Sequence, residues 1–308
     1  MNTSRGGRGK PDGPGLRGVQ EAIARALGEH LPGGVRTGEL DCGGRALRWS
    51  EAGQGGVAPV VLIAGSGTSV LTWSNVLPEL ARYGWVVAYD RAGIGASEPD
   101  RSAAPTLDGQ LADLAALVQR LDAGPALLVG HSWGAQLAQL LAWQRPEAVA
   151  GLVLVDPAHE EFQPQSIRIA EAVLNRLWLY RAALAPTSPG PAEVLDRAGA
   201  AVIAHRHQRR TILAEQRLTA AAVPEIRRRR AVAPPPEVPL VVLSATQGLP
   251  RAMRVRWTAL QRGIATNAVR GTHGSVHGAG HAIQADRPQA VVAAVREVAD
   301  RVRYFLKD

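Results

Sequence analysis

Residues 127–141 read LLVGHSWGAQLAQLL: an apolar run, a serine between two glycines, and a helix-like pattern with no gap. The segment GHSWG (130–134) fits G-x-S-x-G, the arrangement that holds a serine on a sharp turn between a strand and a helix. Flanking glycines permit such a turn, and its strained serine exposes the hydroxyl above the strand end. The chemistry this suggests is nucleophilic attack by Ser132. A serine hydroxyl does not give up its proton unaided near neutral pH, so a base must lie within reach. Eight histidines could supply one. His131, beside the serine, is expected to turn to the far side of the elbow and pack structurally.

Other chemistries find little support. Cys42 is the only cysteine, which excludes an intramolecular disulfide and makes a reducing cytoplasm the expected setting. One cysteine and scattered histidines give no metal-ligand spacing, so neither a metal nor an organic cofactor is expected. DRAGIGAS (90–97) is rich in glycine but lacks G-x-G-x-x-G, and Asp90 and Arg91 suit a structural turn. The net charge of +8 could point to nucleic acid, yet Lys10 and Lys307 are the only lysines. The dense runs RHQRR (206–210) and RRRR (227–230) carry no interleaved aromatics and no nucleic-acid module pattern, which favours a solvated basic face, with an anion-binding surface for an acidic substrate or carrier as the alternative. No stretch of about 18 apolar residues occurs, and neither a secretion signal nor a membrane span is expected.

The elements that must position Ser132 can be read from periodicity. Apolar residues make up 46% of the 308, enough for a substantial core. Residues 1–20 are Gly-, Arg- and Pro-rich and are expected to form a disordered tail. Residues 35–53 alternate on either side of Gly43 and Gly44, as in a β-hairpin. PVVLIAG (59–65), GWVVAYD (84–90), PALLVGH (125–131), VAGLVLVD (149–156) and VPLVVLSA (238–245) are near-continuous aliphatic runs, as strands covered on both faces require. Between them, residues 106–123 set Leu107, Leu111, Leu114, Leu117, Val118 and Leu121 on one helical stripe, and a second helix follows the elbow to Pro146. Strands alternating with helices predict an α/β fold with a doubly wound, mostly parallel sheet. The alternation stops after Asp156 and resumes at Val238. The Ala-, Leu- and Arg-rich stretch between is too long for a plain loop and is expected to form a helical cap over 157–237, inserted after the sixth strand. The core then comprises 21–156 and 238–308, with a helix over 253–264, a strand and turn over 274–281, and a closing helix over 287–305.

Taken together, GHSWG, the loop AGSGTS (64–69), YDRAGIGAS (89–97) and GAGHAIQADRP (278–288) resemble the α/β-hydrolase fold family across roughly residues 35–305. The resemblance implies a serine nucleophile, an acid and a histidine in that chain order. His281, between a glycine-rich turn and the final helix, stands where the family carries its catalytic histidine. His273 and His277 are the competitors, on the preceding strand or its approach. The acid departs from the common pattern: from Val238 to Ala285 there is no Asp or Glu. Some members, certain haloalkane dehalogenases among them, take the acid from the end of the sixth strand, where Asp156 stands; Glu160 and Glu161 rank second. A structural alternative is that Asp156 caps a loop before Pro157. By position, the backbone N–H groups of Ser66 and Trp133 would form the oxyanion hole. Many members carry histidine where Ala64 stands, which puts the support of that loop in doubt.

These residues imply a serine hydrolase acting on a carboxylic ester or thioester of a small organic molecule. The alternatives are a cofactor-free non-hydrolytic reaction on the same scaffold (lyase, acyl transfer, cyclisation or perhydrolysis) and a non-catalytic ligand-binding protein. Within 157–236 there are 12 arginines and 7 carboxylates, so an anionic or carrier-linked acyl substrate would suit the cap. His159 is expected near the cap entrance, as a surface or substrate-contact residue.

Overall fold

The structure, a computed structural model, describes residues 15–31, 33–100, 104–162, 194–232 and 237–305. Eight strands form one sheet in the order β1-β2-β4-β3-β5-β6-β7-β8. β1 (Arg36–Asp41) and β2 (Ala46–Ala52) are the expected hairpin, paired antiparallel to each other, and β2 pairs antiparallel with β4. β3 (Val60–Ile63), β4 (Val86–Asp90), β5 (Ala126–His131), β6 (Val149–Val155), β7 (Leu240–Ala245) and β8 (Gly271–Val276) are parallel.

The aliphatic runs are continuous because alternate residues serve two cores. Val60, Leu62, Val129, Val153 and Val241 join one apolar cluster, while Val61, Ile63, Leu128, Leu152 and Val242 join the other. The first core is closed by α1 (Leu16–His30) and α10 (Pro288–Phe305), the second by α3 (Leu107–Leu121), α4 (Trp133–Gln144) and the end of α8 (Arg251–Asn267). α3 starts where Thr106 accepts a hydrogen bond from the Gly109 N–H, an N-cap that satisfies an otherwise orphaned donor. Two short helices, α2 (Leu77–Leu80) and α9 (Ile283–Asp286), complete the core.

Helix α1 was not anticipated, and it begins inside the stretch read as a tail; residues 1–14 lie outside the described residues. It has no side-chain N-cap, but Val19, Ile23, Ala26 and Leu27 are buried on one stripe. Burying a large aliphatic side chain is worth about 1.5–3 kcal/mol, more than a missing cap costs.

After β6 the chain enters a helical insertion, where the cap was expected. Its described helices are α5 (Val194–Ala204), α6 (Arg206–Ala221) and α7 (Val223–Val232); residues 163–193 and 233–236 of the expected cap lie outside the described residues. β8 begins three residues earlier than the sequence suggested, and α8 extends two residues earlier and three later.

Candidate active site

The sheet register brings the chemistry together. His131, the last residue of β5, pairs with Val155, the last of β6, so Ser132 and Asp156 leave adjacent strands at the same level. Both have positive φ, 51° at Ser132 and 41° at Asp156, a region non-glycine residues rarely occupy. Backbone bonds hold these turns: Ser132 N–H donates to the Val155 carbonyl, Asp156 N–H to that of Leu243, and Ala158 N–H back to that of Ser132. The elbow is possible because its glycines leave no room for a side chain. A Cβ on Gly134 would sit 2.2 Å from the Ile63 carbonyl oxygen, and one on Gly130 2.5 Å from the Ala135 backbone.

The next two strands supply the histidine. β8 ends at Val276 opposite Ala245, and the turn that follows is pinned to the end of β7, with Thr246 and Gln247 N–H both donating to the Ala279 carbonyl. His281 emerges from it with Nδ1 2.6 Å from Asp156 Oδ2. The other carboxylate oxygen accepts three bonds of 3.0 Å, from the Ala245 N–H, Trp257 Nε1 and Gln261 Nε2. Burial alone would raise the Asp156 carboxyl. The His281 bond and charge, with the Ala245 and Trp257 donors, outweigh it and hold the carboxyl below its ordinary value. An ionised Asp156 accepts the Nδ1 proton of His281, which leaves the Nε2 lone pair free to take another.

His131 does not turn away as expected. Its ring lies 4.7 Å from that of His281, and its Nε2 is 2.8 Å from the His281 carbonyl. A carbonyl only accepts, so Nε2 carries the hydrogen. Burial, and secondarily the neighbouring His281, push its pKa down to about 3 and keep the ring neutral. Its packing role stands, on the His281 side of the elbow.

The competitors do not reach the Asp156 carboxylate. His273, on β8, bonds Ser244 Oγ at 2.8 Å, and His277 lies just past the strand, exposed. Glu160 pairs with Arg230 and Glu161 with Arg227. His159 is buried rather than at a surface, and it lines a cavity of about 400 Å³ with Gln139, Trp143 and Arg230 on the α4–α8 flank, away from Ser132 and His281.

The loop 64–68 approaches the elbow closely: a Cβ on Gly65 would lie 2.8 Å from His131 Nδ1 and 3.5 Å from Ser132 Cβ. Among the described residues, the backbone N–H groups of Ser66 and Trp133 donate to no other group. The support that Ala64 cannot give comes from Arg91, which sequence reading assigned to an ordinary turn. Its buried guanidinium donates to the Ala64 and Gly65 carbonyls, each at 2.6 Å, and to both oxygens of Glu215 on α6. Asp90 fixes the neighbouring turns by accepting from the Val70 and Ala96 N–H groups, and burial raises its pKa to about 6.

Arg91, Gln110, Glu215, Trp257 and Gln261 were all missed in the sequence. Gln110 and Glu215 carried a usable signal: each is a polar residue one helical turn from an apolar one on a buried stripe, beside Leu107 and Ile212 respectively.

A model of the alpha/beta hydrolase family matches residues 60–295. The 2-hydroxy-6-oxo-2,4-heptadienoate hydrolase of Pseudomonas putida is 31% identical over 184 residues, 59% of this chain and 58% of that protein. The uncharacterized protein YqjL of Bacillus subtilis is 39% identical over 107 residues, 34% and 42% of the two chains. Each of these matches therefore spans only about half of the relative's length. Among solved structures, a haloalkane dehalogenase loop variant from Bradyrhizobium elkanii has a TM-score of 0.69 at 22% identity, covering 89% of this chain and 99% of that one. A serine hydrolase involved in carbazole degradation has a TM-score of 0.66 at 20% identity, covering 86% and 99%. These structures share the fold, and with the family model extending from β3 into α10, the chain belongs to the alpha/beta hydrolase family.

Proposed function

We propose that this hydrolase cleaves a carboxylic ester or thioester of a small organic molecule through an acyl-enzyme on Ser132. Ser132 Oγ attacks the substrate carbonyl while His281 Nε2 takes the hydroxyl proton. The oxyanion that forms is met by the N–H groups of Ser66 and Trp133, preset by the loop and by the start of α4. Collapse breaks the bond to the alkoxide or thiolate, which leaves with the proton from His281. Water, deprotonated by the same imidazole, then attacks the acyl-enzyme and releases the acid and the serine. Asp156 fixes the tautomer of His281 and stabilises its cation without taking the proton. The observation that carries this reading is the 2.6 Å contact between His281 Nδ1 and Asp156 Oδ2 at the level of a strained Ser132.

The substrate class follows from the cap less directly. Arg227, Arg228, Arg229 and Arg230 each pair with a carboxylate, so this run is engaged within the molecule. Glu160, Glu161 and Glu225 already count among the seven carboxylates of 157–236, so the arginine excess of that segment remains and anionic acyl compounds stay in the substrate panel beside neutral ones.

A fluorophosphonate probe is expected to label the wild-type chain at Ser132 and to leave Ser132→Ala unlabelled, with hydrolysis of aryl esters or acyl thioesters lost in parallel. Absence of labelling in folded wild type would turn the reading towards ligand binding. Labelling without turnover of any ester or thioester would turn it towards a non-hydrolytic reaction. An oxo-dienoic acid belongs in the substrate panel because the P. putida relative is named for hydrolysing one.

A further inference from the structure

Cap helix α6 turns three buried side chains towards the core: Gln208, Ile212 and Glu215. Gln208 forms two bonds with Gly95, accepting from its N–H at 2.8 Å and donating to its carbonyl at 2.6 Å. Ile212 covers Gly67, where an added Cβ would meet it at 2.9 Å. Glu215, with no exposed surface, receives four hydrogen bonds: from Gly67 N–H at 2.5 Å, Arg91 Nε at 2.6 Å, Arg91 Nη2 at 2.8 Å and Gln110 Nε2 at 2.6 Å.

Each donor leads to the residues read above as the oxyanion hole. Gly67 follows Ser66 directly. Arg91 holds the two carbonyls before it, at Ala64 and Gly65. Gln110 accepts from the indole Nε1 of Trp133 at 2.8 Å. One carboxylate from the cap therefore ties both N–H-bearing segments, which follow the neighbouring strands β3 and β5 but lie far apart in sequence, to a common point. Charge-assisted bonds of this kind are short and directional, and a buried carboxylate left without its guanidinium would be costly, so the cluster has one well-defined arrangement.

We propose that Glu215 is a positioning residue that sets the 64–68 loop and Trp133 for oxyanion binding, so that this hole is formed only while α6 is seated on the core. The catalytic part of this statement rests on the reading of Ser132 as nucleophile. The positioning part does not. Substrate binding and catalysis are then coupled through the cap: whatever lifts α6 removes the Gly67 and Arg91 contacts and disarms the site without touching Ser132, His281 or Asp156.

The test uses the full chain with Glu215→Gln, which keeps the shape and removes the charge. The expected result is a 10- to 100-fold fall in kcat on an aryl ester with KM within about twofold, since misplaced oxyanion donors act on the transition state. Affinity for an aryl trifluoromethyl ketone, which forms a tetrahedral adduct on the serine, should fall by the same factor as kcat/KM. Hydrogen exchange should rise in residues 64–68. Gln208→Ala removes the contact with Gly95 but leaves α6 seated through Ile212 and the four bonds of Glu215, and it should cost less than about threefold in kcat. If Glu215→Gln does not fold because Arg91 is left unpaired, the double variant Arg91→Met, Glu215→Met removes both charges and should show the same loss. An equal kcat loss in Gln208→Ala, or unchanged exchange at 64–68 in a folded Glu215 variant, overturns the proposal. Should wild type neither label nor turn over, the serine reading fails, while the exchange measurement still decides whether Glu215 sets the loop.

Discussion

Asp156 is the residue on which the site is most exposed to test. It lies only 24 residues beyond the serine, at the end of a strand that separates Ser132 from His281, and three donors on Oδ1 orient the carboxylate so that Oδ2 faces the imidazole. In Asp156→Asn the amide can present an N–H to Nδ1 and favour the wrong tautomer, so kcat is expected to fall by about 10⁴-fold. Steady-state kinetics on a folded variant checks this; a loss under about tenfold would move the acid elsewhere. The candidate acid was legible in the sequence because 48 successive residues carry no carboxylate, and the resemblance to family members that take their acid from the β6 end then pointed to Asp156. Its partners were not legible. Trp257 and Gln261 lie four apart on α8 and face Asp156 only because that helix packs beside β7.

At the scale of elements, the elbow is a close approach between α4, β5 and the loop after β3. Gly134→Ala would put a methyl against two carbonyl oxygens, those of Ile63 and Ala64, at 2.2 and 2.6 Å. Both are backbone atoms and cannot swing aside. Displacement of α4 or β3 is the only relief, and the variant is expected to lose about 3 kcal/mol in denaturant unfolding, the upper end of the usual range for core overpacking. A loss below about 1 kcal/mol would mean that the elbow tolerates a wider approach. The strands were readable because burial on both faces leaves an aliphatic run with no polar interruption. α1 was not, because its four buried residues follow a Gly/Arg-rich segment and no capping residue marks its start.

For the whole molecule, two buried groups give opposite acid responses. His131 titrates near 3 in the folded chain against an ordinary 6.5, so between these values the unfolded chain binds a proton the folded chain refuses. Its contribution is complete above pH 6.5 and is lost as pH falls, by up to about 1.4 kcal/mol per pH unit. Asp90 titrates near 6 against 3.8, so in that window the folded chain holds the extra proton and stability falls as pH rises. The two largely cancel between pH 4 and 6 in the wild type. His131→Gln keeps a donor for the His281 carbonyl but removes the titration. Its stability relative to wild type should therefore improve as pH drops from 7.5 to 4.5, measured by urea unfolding at both values. An unchanged difference would show that His131 is not held neutral by burial.

The sequence by itself determined the alternation of strands and helices from residue 35 onward and the turn at GHSWG, because both rest on local pattern, on which backbone geometry and burial act directly; the choice of His281 and Asp156 rested on the resemblance to a fold family. Only the tertiary structure decided that His131 faces His281, and that Arg91 and Glu215 replace the missing support beside Ala64. It also decided that the arginine run is engaged by carboxylates, including Asp108 on α3 and Glu160 and Glu161 after β6. The Arg91 bond to the Ala64 carbonyl spans 27 positions and the other pairings 66 to 150, and neither periodicity nor motif carries information over such separations. They are fixed by which surfaces the sheet register and the seated cap bring into contact.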